Sequence, residues 1–247
     1  MNTALAFVCT YNEADIIGWT VAHLMRQGCQ ALVIDCESTD GTRDIAARAG
    51  AVIETYAKPP VSWHAMLGHV EELVSHVYGD RYGWCVHCDA DELRYTDIPG
   101  ETLVEGFARV QAAGCNAIDH EVMTFHPTED GYDGSQNPEK FFRYYSDDPL
   151  NQGIGQVKAW QHLGPVSLAH SGGHQVQFPG RRIYPWKFLS KHYPIRSQAQ
   201  GERKVFCERQ WLDQRQGRRD WHVQYQGIQP GHNFIRSTEG LWEWRER

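Results

Sequence analysis

Asp89, Asp91 and Glu92 place three carboxylates within four residues, directly after the apolar run Trp84-Cys85-Val86-His87-Cys88. Carboxylates this close repel one another unless a cation lies among them. Hard divalent cations such as Mg2+ or Mn2+ take oxygen ligands and commonly bridge to a substrate diphosphate, so a metal–diphosphate site is the sharper reading of this cluster. Two earlier apolar runs also end in polar groups: Ala4–Cys9 in Thr10-Tyr11-Asn12-Glu13, and Ala31–Ile34 in Asp35-Cys36-Glu37-Ser38-Thr39-Asp40. Asp15 and Asp44, one turn into the segments that follow, read equally well as acids favoured at helix N-termini.

Other constellations point less clearly to chemistry. Cys85 and Cys88 have the spacing of a redox pair or half a zinc site, but they fall within an expected strand, where side chains three apart face opposite ways. Buried small thiols fit them better. Single histidines such as His23 and His69 read as structural or solvated. Trp19, Trp63 and Trp84 sit among apolar positions and are expected in the core. Trp160, Trp186, Trp221, Trp242 and Trp244 either pack a small annex or offer aromatic faces to sugar rings. The basic stretch Arg203-Lys204, Arg209, Arg215 and Arg218-Arg219 is either a solvated helix face or a complement to a diphosphate or an anionic membrane surface.

These groups need a scaffold, and the first ninety residues supply one. Strands are expected at Ala4–Cys9, Ala31–Ile34, Ala51–Ile53 and Trp84–Cys88. Helices are expected at Ile16–Gln27, from Thr42 through Ala49, and at His64–Val77, with Gly28 and Gly50 as C-terminal caps. Strands alternating with helices imply a parallel sheet with covering helices, and ligands in such sheets bind beyond the carboxyl ends of the strands. All three acidic clusters lie at such ends. Further on, a helix is expected at Leu103–Ala112, a long strand at Asn116–Phe125 and a loop at His126–Pro138. Strand-like pieces at Phe141–Tyr145, Gln156–Trp160, His174–Phe178 and Arg182–Tyr184 suggest a smaller, partly antiparallel annex. A last helix is expected at Gln200–Gln216, with an irregular tail after Gly217.

Composition narrows the class. The 247 residues carry a net charge of -7, with 41% apolar and 22% charged residues, which is globular rather than disordered. No run approaches the ~20 apolar residues of a membrane span. The opening Met1–Phe7 has no basic region, so a signal peptide is not expected. The acidic balance argues against broad nucleic-acid binding, and seven thinly spread cysteines argue against a disulfide framework. A cytoplasmic enzyme is the expectation.

The segments Phe7–Glu13, Val33–Thr42 and Asp89-Ala90-Asp91-Glu92 together resemble the signature series of family 2 glycosyltransferases of the GT-A fold. The match includes Asp-x-x-Ser-Thr-Asp-Gly-Thr after the second strand and Asp-x-Asp after the fourth. His192-Tyr193-Pro194-Ile195-Arg196-Ser197, followed by Lys204, is similar to the His-Tyr-x-x-Arg-Ser segment of the subgroup that carries Asp-Ala-Asp-Glu. The resemblance covers residues 4–94 and patches of 170–210. It implies a Rossmann-like GT-A fold: a mostly parallel sheet flanked by helices, with a small partly antiparallel acceptor-side region. One catalytic domain would span 1–247, with a nucleotide-sugar half at 1–114 and an acceptor half at 115–247.

The resemblance assigns Thr10, Tyr11, Glu13 and Asp35 to the nucleotide base and ribose. It assigns Asp91 and His192 to the metal, Mn2+ or Mg2+, with Asp89 at the ribose or a metal water. Arg196, Ser197 and Lys204 would neutralise the diphosphate. The implied activity moves a sugar from a nucleotide donor, a UDP-sugar, to a glycan or glycolipid hydroxyl with inversion. A lipid-linked acceptor would bring peripheral membrane contact. Cys36 and Glu37 depart from the family, where Asp followed by a small residue is usual. The late acidic base of inverting members has no clean counterpart either. An inverting transfer needs a group that removes the acceptor proton. Asp119, Glu121, Asp130 and His174 are candidates, and His174 is favoured because Gly172-Gly173 would let backbone approach a substrate. Two alternatives stand beside this: a non-catalytic glycan-binding module, and a sugar-phosphate nucleotidyltransferase, which would show a Gly-rich basic loop where Thr10–Glu13 stands.

Overall fold

The structure is a computed structural model that describes residues 4–57, 63–78, 81–147, 155–208, 225 and 227–245. Its centre is strand β1 (Ala4–Thr10), buried along its whole length. Both faces of β1 are covered. Ala4, Ala6 and Val8 enter one apolar cluster with Ile17, Val21 and Leu24, while Leu5, Phe7 and Cys9 enter another with Met66, Leu67 and Val70. That two-sided burial explains an apolar run without alternation. Helix α1 (Ile17–Arg26) supplies the first cover, and α3 (Trp63–Leu73), continued by a π-helical turn Val74–Tyr78, supplies the second.

Strands β2 (Cys29–Asp35), β3 (Val52–Thr55) and β4 (Trp84–Asp89) join β1 in parallel, with α2 (Thr42–Arg48) between β2 and β3. The parallel part of the ten-stranded sheet runs β4-β1-β2-β3, so the chain leaves β1 on both sides and makes its switch point there. Helix α4 (Leu103–Ala112) begins in a capping box in which Thr102 and Glu105 satisfy each other's backbone N–H groups. Gly106 lets α4 lie close to the sheet, since a Cβ there would come within 2.6 Å of Thr96 and 2.9 Å of Phe188.

The second half is the smaller, partly antiparallel region, and it is joined to the same sheet. β6 (Ala117–His126) and β8 (Val157–Gln161) are antiparallel, and β8 docks antiparallel on β4. β7 (Tyr144–Asp147) follows β6, and β10 (Trp242–Glu243) closes the edge. β5 (Glu92–Tyr95) pairs antiparallel with β9 (Phe188–His192), which lies parallel to β6.

Several expectations change. Phe141–Tyr145 is not one strand: Asn137 caps a short helix α5 (Pro138–Phe141), and β7 starts only at Tyr144. His174–Phe178 and Arg182–Tyr184 make isolated bridges rather than strands. The last helix divides into α6 (Gln198–Glu202) and a π-helical segment Arg203–Glu208, and residues 209–216 lie outside the described residues. Trp160 is fully buried and belongs to the core, out of reach of any sugar. Cys85 and Cys88 do face opposite clusters, and burial pushes their thiols up to about 12 and about 11. All seven cysteines are free. Among the described residues no helix is long and apolar enough to cross a membrane.

Candidate functional site

The carboxyl ends of β2, β1 and β4 form a floor of unsatisfied polar atoms. Thr10 pairs in register with Asp35, and Cys9 pairs with Asp89. Thr10 Oγ1, Asp35 Oδ1 and Asp89 Oδ1 are all buried and find no hydrogen-bond partner among the described residues. Buried polar atoms are ordinarily paired, so three orphans on three adjacent strands are unusual. Above this floor, the loops after β1 and β2 are latched together. Asn12 N–H donates to Ser38 Oγ (2.9 Å), Glu13 N–H to Thr42 Oγ1 (2.9 Å), and Thr39 N–H to Asn12 Oδ1 (2.8 Å). Asp40 accepts from Ala14 N–H at 3.1 Å, and Asp35 Oδ2 accepts from Ser38 N–H at 3.0 Å. The hydroxyls and acids of the second motif therefore fix the first. Asn12 and Glu37 adopt left-handed backbone, with φ of 52° and 57°. Asparagine tolerates that conformation; for Glu37 it is strained. Tyr11 is half-buried and packs against the second apolar cluster.

Two buried charge networks hold the Asp89–Glu92 turn, whose Ala90 carbonyl also accepts from Thr20 Oγ1 at 2.6 Å. In the first network, Lys158 on β8 donates to Asp89 Oδ2 (2.9 Å) and to Glu92 (3.1 and 3.2 Å), while Arg94 donates to Glu92 from the other side. In the second, Lys204 donates to Asp91 Oδ2 (2.9 Å), Glu13 Oε1 (3.0 Å) and the Pro194 carbonyl (3.0 Å). Arg196, fully enclosed, donates to Asp15 (2.8 and 2.9 Å), to Glu13 and to the Tyr193 carbonyl (2.9 Å). Burial would raise the Asp89 and Asp91 carboxyls, but Lys158 and His87 pull the first, and Lys204, His192 and Arg196 the second, well below the usual range. Both are ionised at neutral pH.

This geometry moves Arg196 and Ser197 away from the diphosphate role. Arg196 is a strut between the β1 loop and the segment after β9, and freeing its enclosed guanidinium would strand Asp15 and leave Glu13 to Lys204 alone. Ser197 is the N-cap of α6, its Oγ accepting from Gln200 N–H at 3.1 Å. Asp15 is the partner of Arg196 rather than a bare helix-start charge. Lys158 and Arg94 went unread in the sequence. The one visible signal for Lys158 is a cation in an otherwise apolar strand; Arg94 has none.

His192 reaches Asp91 because β9 pairs with β5: Glu92 stands opposite His192, and Tyr193 N–H donates to the Asp91 carbonyl at 2.9 Å. His192 Nε2 lies 3.6 Å from Asp91 Oδ1. Among the described residues no three His, Cys, Asp or Glu side chains converge as a ready-made cage. Mg2+ and Mn2+ seldom need one, since one or two carboxylates plus substrate phosphates complete their shells. The Asp91 carboxylate, with His192 Nε2 beside Oδ1, fits that pattern.

His174 lies in the same electrostatic neighbourhood. Its Nδ1 is 3.1 Å from Gln156 Nε2 and 3.3 Å from Gln156 Oε1. Burial first, then Lys158, lowers its pKa, while Asp89 and Glu92 oppose them. The glycine pair before it has another purpose than expected. Gly173, at φ +89°, makes room for the buried His87, whose ring would lie 2.8 Å from a Cβ there. The competing base candidates are committed elsewhere: Asp119 pairs with Lys187 at 3.0 Å, and Asp130 accepts from Gln198 N–H at 3.0 Å, while Glu121 is exposed. Trp186 and Trp242 are exposed, and Trp244 covers Lys191, its ring centroid 4.5 Å from Nζ; Trp221 is outside the described residues.

No family model matches the sequence, and no curated protein does. Among solved structures, the chain is similar to glucosyl-3-phosphoglycerate synthase from Mycobacterium tuberculosis in complex with Mn2+, UDP and glucosyl-3-phosphoglycerate. That similarity has 17% identity and a TM-score of 0.32, over 51% of this chain and 44% of the synthase. A mycobacterial protein aligns at 14% identity and TM-score 0.37, over 78% of this chain and 65% of its own. A cytidylyltransferase from Leptospira borgpetersenii aligns at 8% identity and TM-score 0.32, over 49% and 54%. The chain thus spans less than half the length of the synthase.

Proposed function

We propose that this chain is a metal-dependent glycosyltransferase that moves a sugar from a nucleotide donor, a UDP-sugar, to a hydroxyl of a glycan or glycolipid acceptor with inversion. One observation carries the reading: Thr10 Oγ1, Asp35 Oδ1 and Asp89 Oδ1, without partners among the described residues, stand on adjacent strand ends beside the Asp91–His192 pair. Such a row of acceptors suits the hydroxyls and base of a nucleoside, and the acidic pair beside it suits the cation that accompanies a diphosphate. Thr10, Tyr11 and Asp35 would bind the nucleoside, with Glu13 holding Lys204 beside it. Asp91 and His192 would hold Mn2+ or Mg2+, with Asp89 reaching the ribose or a metal-bound water. The metal, when bound, stabilises the charge that develops on the departing diphosphate. Lys204 is the cation positioned to share that task.

The acceptor hydroxyl attacks the anomeric carbon as the bond from that carbon to the diphosphate oxygen breaks. The nucleoside diphosphate leaves with the electron pair, and the hydroxyl proton passes to His174. This role needs the tautomer that donates Nδ1–H to Gln156 Oε1, which frees Nε2 to take the proton, and the lowered pKa keeps the ring neutral beforehand. The test is UDP release from a panel of UDP-sugars with and without Mn2+, in the native chain and in Asp91→Asn. Release should need the metal and fall at least about a hundredfold in the variant, the scale on which one charge-stabilising group acts. Native-level, metal-dependent release from a folded Asp91→Asn protein would overturn the assignment. A binding module would release nothing, and a nucleotidyltransferase would release no UDP here but pyrophosphate when given a nucleoside triphosphate and a sugar phosphate.

A further inference from the structure

Beyond the metal pair, the carboxyl ends of β6 and β9 carry basic side chains that the reading above leaves unused. The parallel register sets Thr124 beside His192, and His126, two residues on, shares a face with Thr124. His126 Nε2 lies 2.7 Å from Ser146 Oγ on β7 and 3.2 Å from Nη1 of Arg236. Burial first, then Arg236, pushes the His126 pKa down to about 4, so its ring is neutral and Nε2 accepts from the Arg236 guanidinium. Among the described residues no carboxylate pairs with Arg236 or His126, whereas nearby Arg143 and Arg245 share Glu243. Thr124 Oγ1 is buried there without a partner among the described residues. The Arg236 guanidinium therefore has no counter-charge among the described residues, in a chain of net charge -7.

The segment that carries Arg236 is fixed in place. Arg236 N–H donates to the Pro127 carbonyl (2.8 Å), Ile235 N–H to Asn233 Oδ1 (3.0 Å) and Phe234 N–H to Gln198 Oε1 (2.9 Å). The Phe234 ring is buried against Gly201, where a Cβ would come within 2.6 Å of it. The guanidinium is therefore presented at a set position on the rim, exposed, with Ser146 and Thr124 hydroxyls close by.

We propose that Arg236, His126 and Ser146 form a subsite for a phosphate-type oxyanion on the acceptor, next to the hydroxyl that receives the sugar. This rests on the glycosyltransferase reading and adds the acceptor's chemical class. An arriving oxyanion supplies the counter-charge that Arg236 lacks, and the guanidinium offers it paired donors in one plane.

The experiment uses the full chain with Mn2+ and UDP at saturation, so that the diphosphate position is filled. Inorganic phosphate is titrated calorimetrically into the native protein, Arg236→Ala and Arg236→Lys. A second arm measures binding to phosphatidylcholine vesicles with and without phosphatidic acid. Phosphate should bind the native chain, about tenfold more weakly in Arg236→Ala, with partial recovery in Arg236→Lys. Binding only to the phosphatidic acid vesicles, lost in Arg236→Ala, would support the subsite and put the oxyanion on a lipid headgroup. Equal affinities in native and Arg236→Ala proteins, or no binding in either arm, overturn it. UDP and Mn2+ are titrated separately: their failure to bind removes the glycosyltransferase reading, whereas phosphate results alone bear on the subsite.

Discussion

Replacing Lys158 with methionine probes the buried network that holds Asp89. The methionine keeps most of the stem and removes only the ammonium. Lys158 is 2% exposed, and its nitrogen contacts Asp89 at 2.9 Å and Glu92 at 3.1 and 3.2 Å. Glu92 keeps Arg94 after the change, so the stranded charge is Asp89. Removing one partner of a buried pair costs about 3–5 kcal/mol, and the surviving Arg94 contact puts this case near about 3. In urea, with a slope of about 3 kcal/mol/M, the midpoint falls by about 1 M. The pH dependence carries a sign. In the native chain the Asp89 carboxyl lies below its ordinary value, so its stabilisation is full above that value and lost as pH falls through the lowered one. Without Lys158, burial dominates and raises the carboxyl, so the variant gains relative stability as acid neutralises it. The gap between the two proteins should therefore narrow from pH 7 to pH 4, by urea unfolding followed with tryptophan fluorescence. A gap under about 1 kcal/mol at pH 7, or one that does not narrow, would refute the buried-pair reasoning.

Two further changes test the supports of the site and fold. Gly173→Ala should destabilise by about 2 kcal/mol or more, because alanine is strained at φ +89° and its Cβ meets the His87 ring; chemical unfolding reads this directly. Thr102→Ala removes half of the α4 capping box and should cost about 1 kcal/mol, or about 2–4 °C in Tm by calorimetry, with Mn2+ affinity unchanged.

The parallel half of the fold is legible in the sequence because its strands are buried on both faces and its helices close on glycine. Ala4–Thr10 needs no partner's identity to be read as a strand. β5 and β9 are another matter. Glu92-Leu93-Arg94-Tyr95 and Phe188-Leu189-Ser190-Lys191-His192 look like polar loops, yet Arg94 and Lys191 are buried. Their burial depends on partners that local pattern does not reveal. Lys191 donates to Glu139 at 2.6 Å and lies over the Tyr95 and Trp244 rings, at 4.8 and 4.5 Å. The same holds for the site. Asp89, Asp91 and His192 stand out by spacing and motif, but Lys158 is one cation in an apolar run. Arg196 reads as a ligand contact until its carboxylate partners, more than a hundred and eighty residues away, are in view.

The arrangement of the two lysines explains how a pair of repelling carboxylates can be held ready. Asp89 and Asp91 flank one turn, and each raises the other's cost of ionisation. Lys158 reaches Asp89 from β8 and Lys204 reaches Asp91 from beyond α6, so each acid has its own counter-charge from a distant part of the chain. Each lysine occupies only the Oδ2 atom. Asp89 Oδ1 is left unpaired among the described residues, and Asp91 Oδ1 faces His192. Donors fixed in this way need little rearrangement when charge arrives, which is the physical content of preorganisation. The integrity of the first-half motif therefore depends on second-half residues, and a truncation after β5 would leave the acids present but unheld.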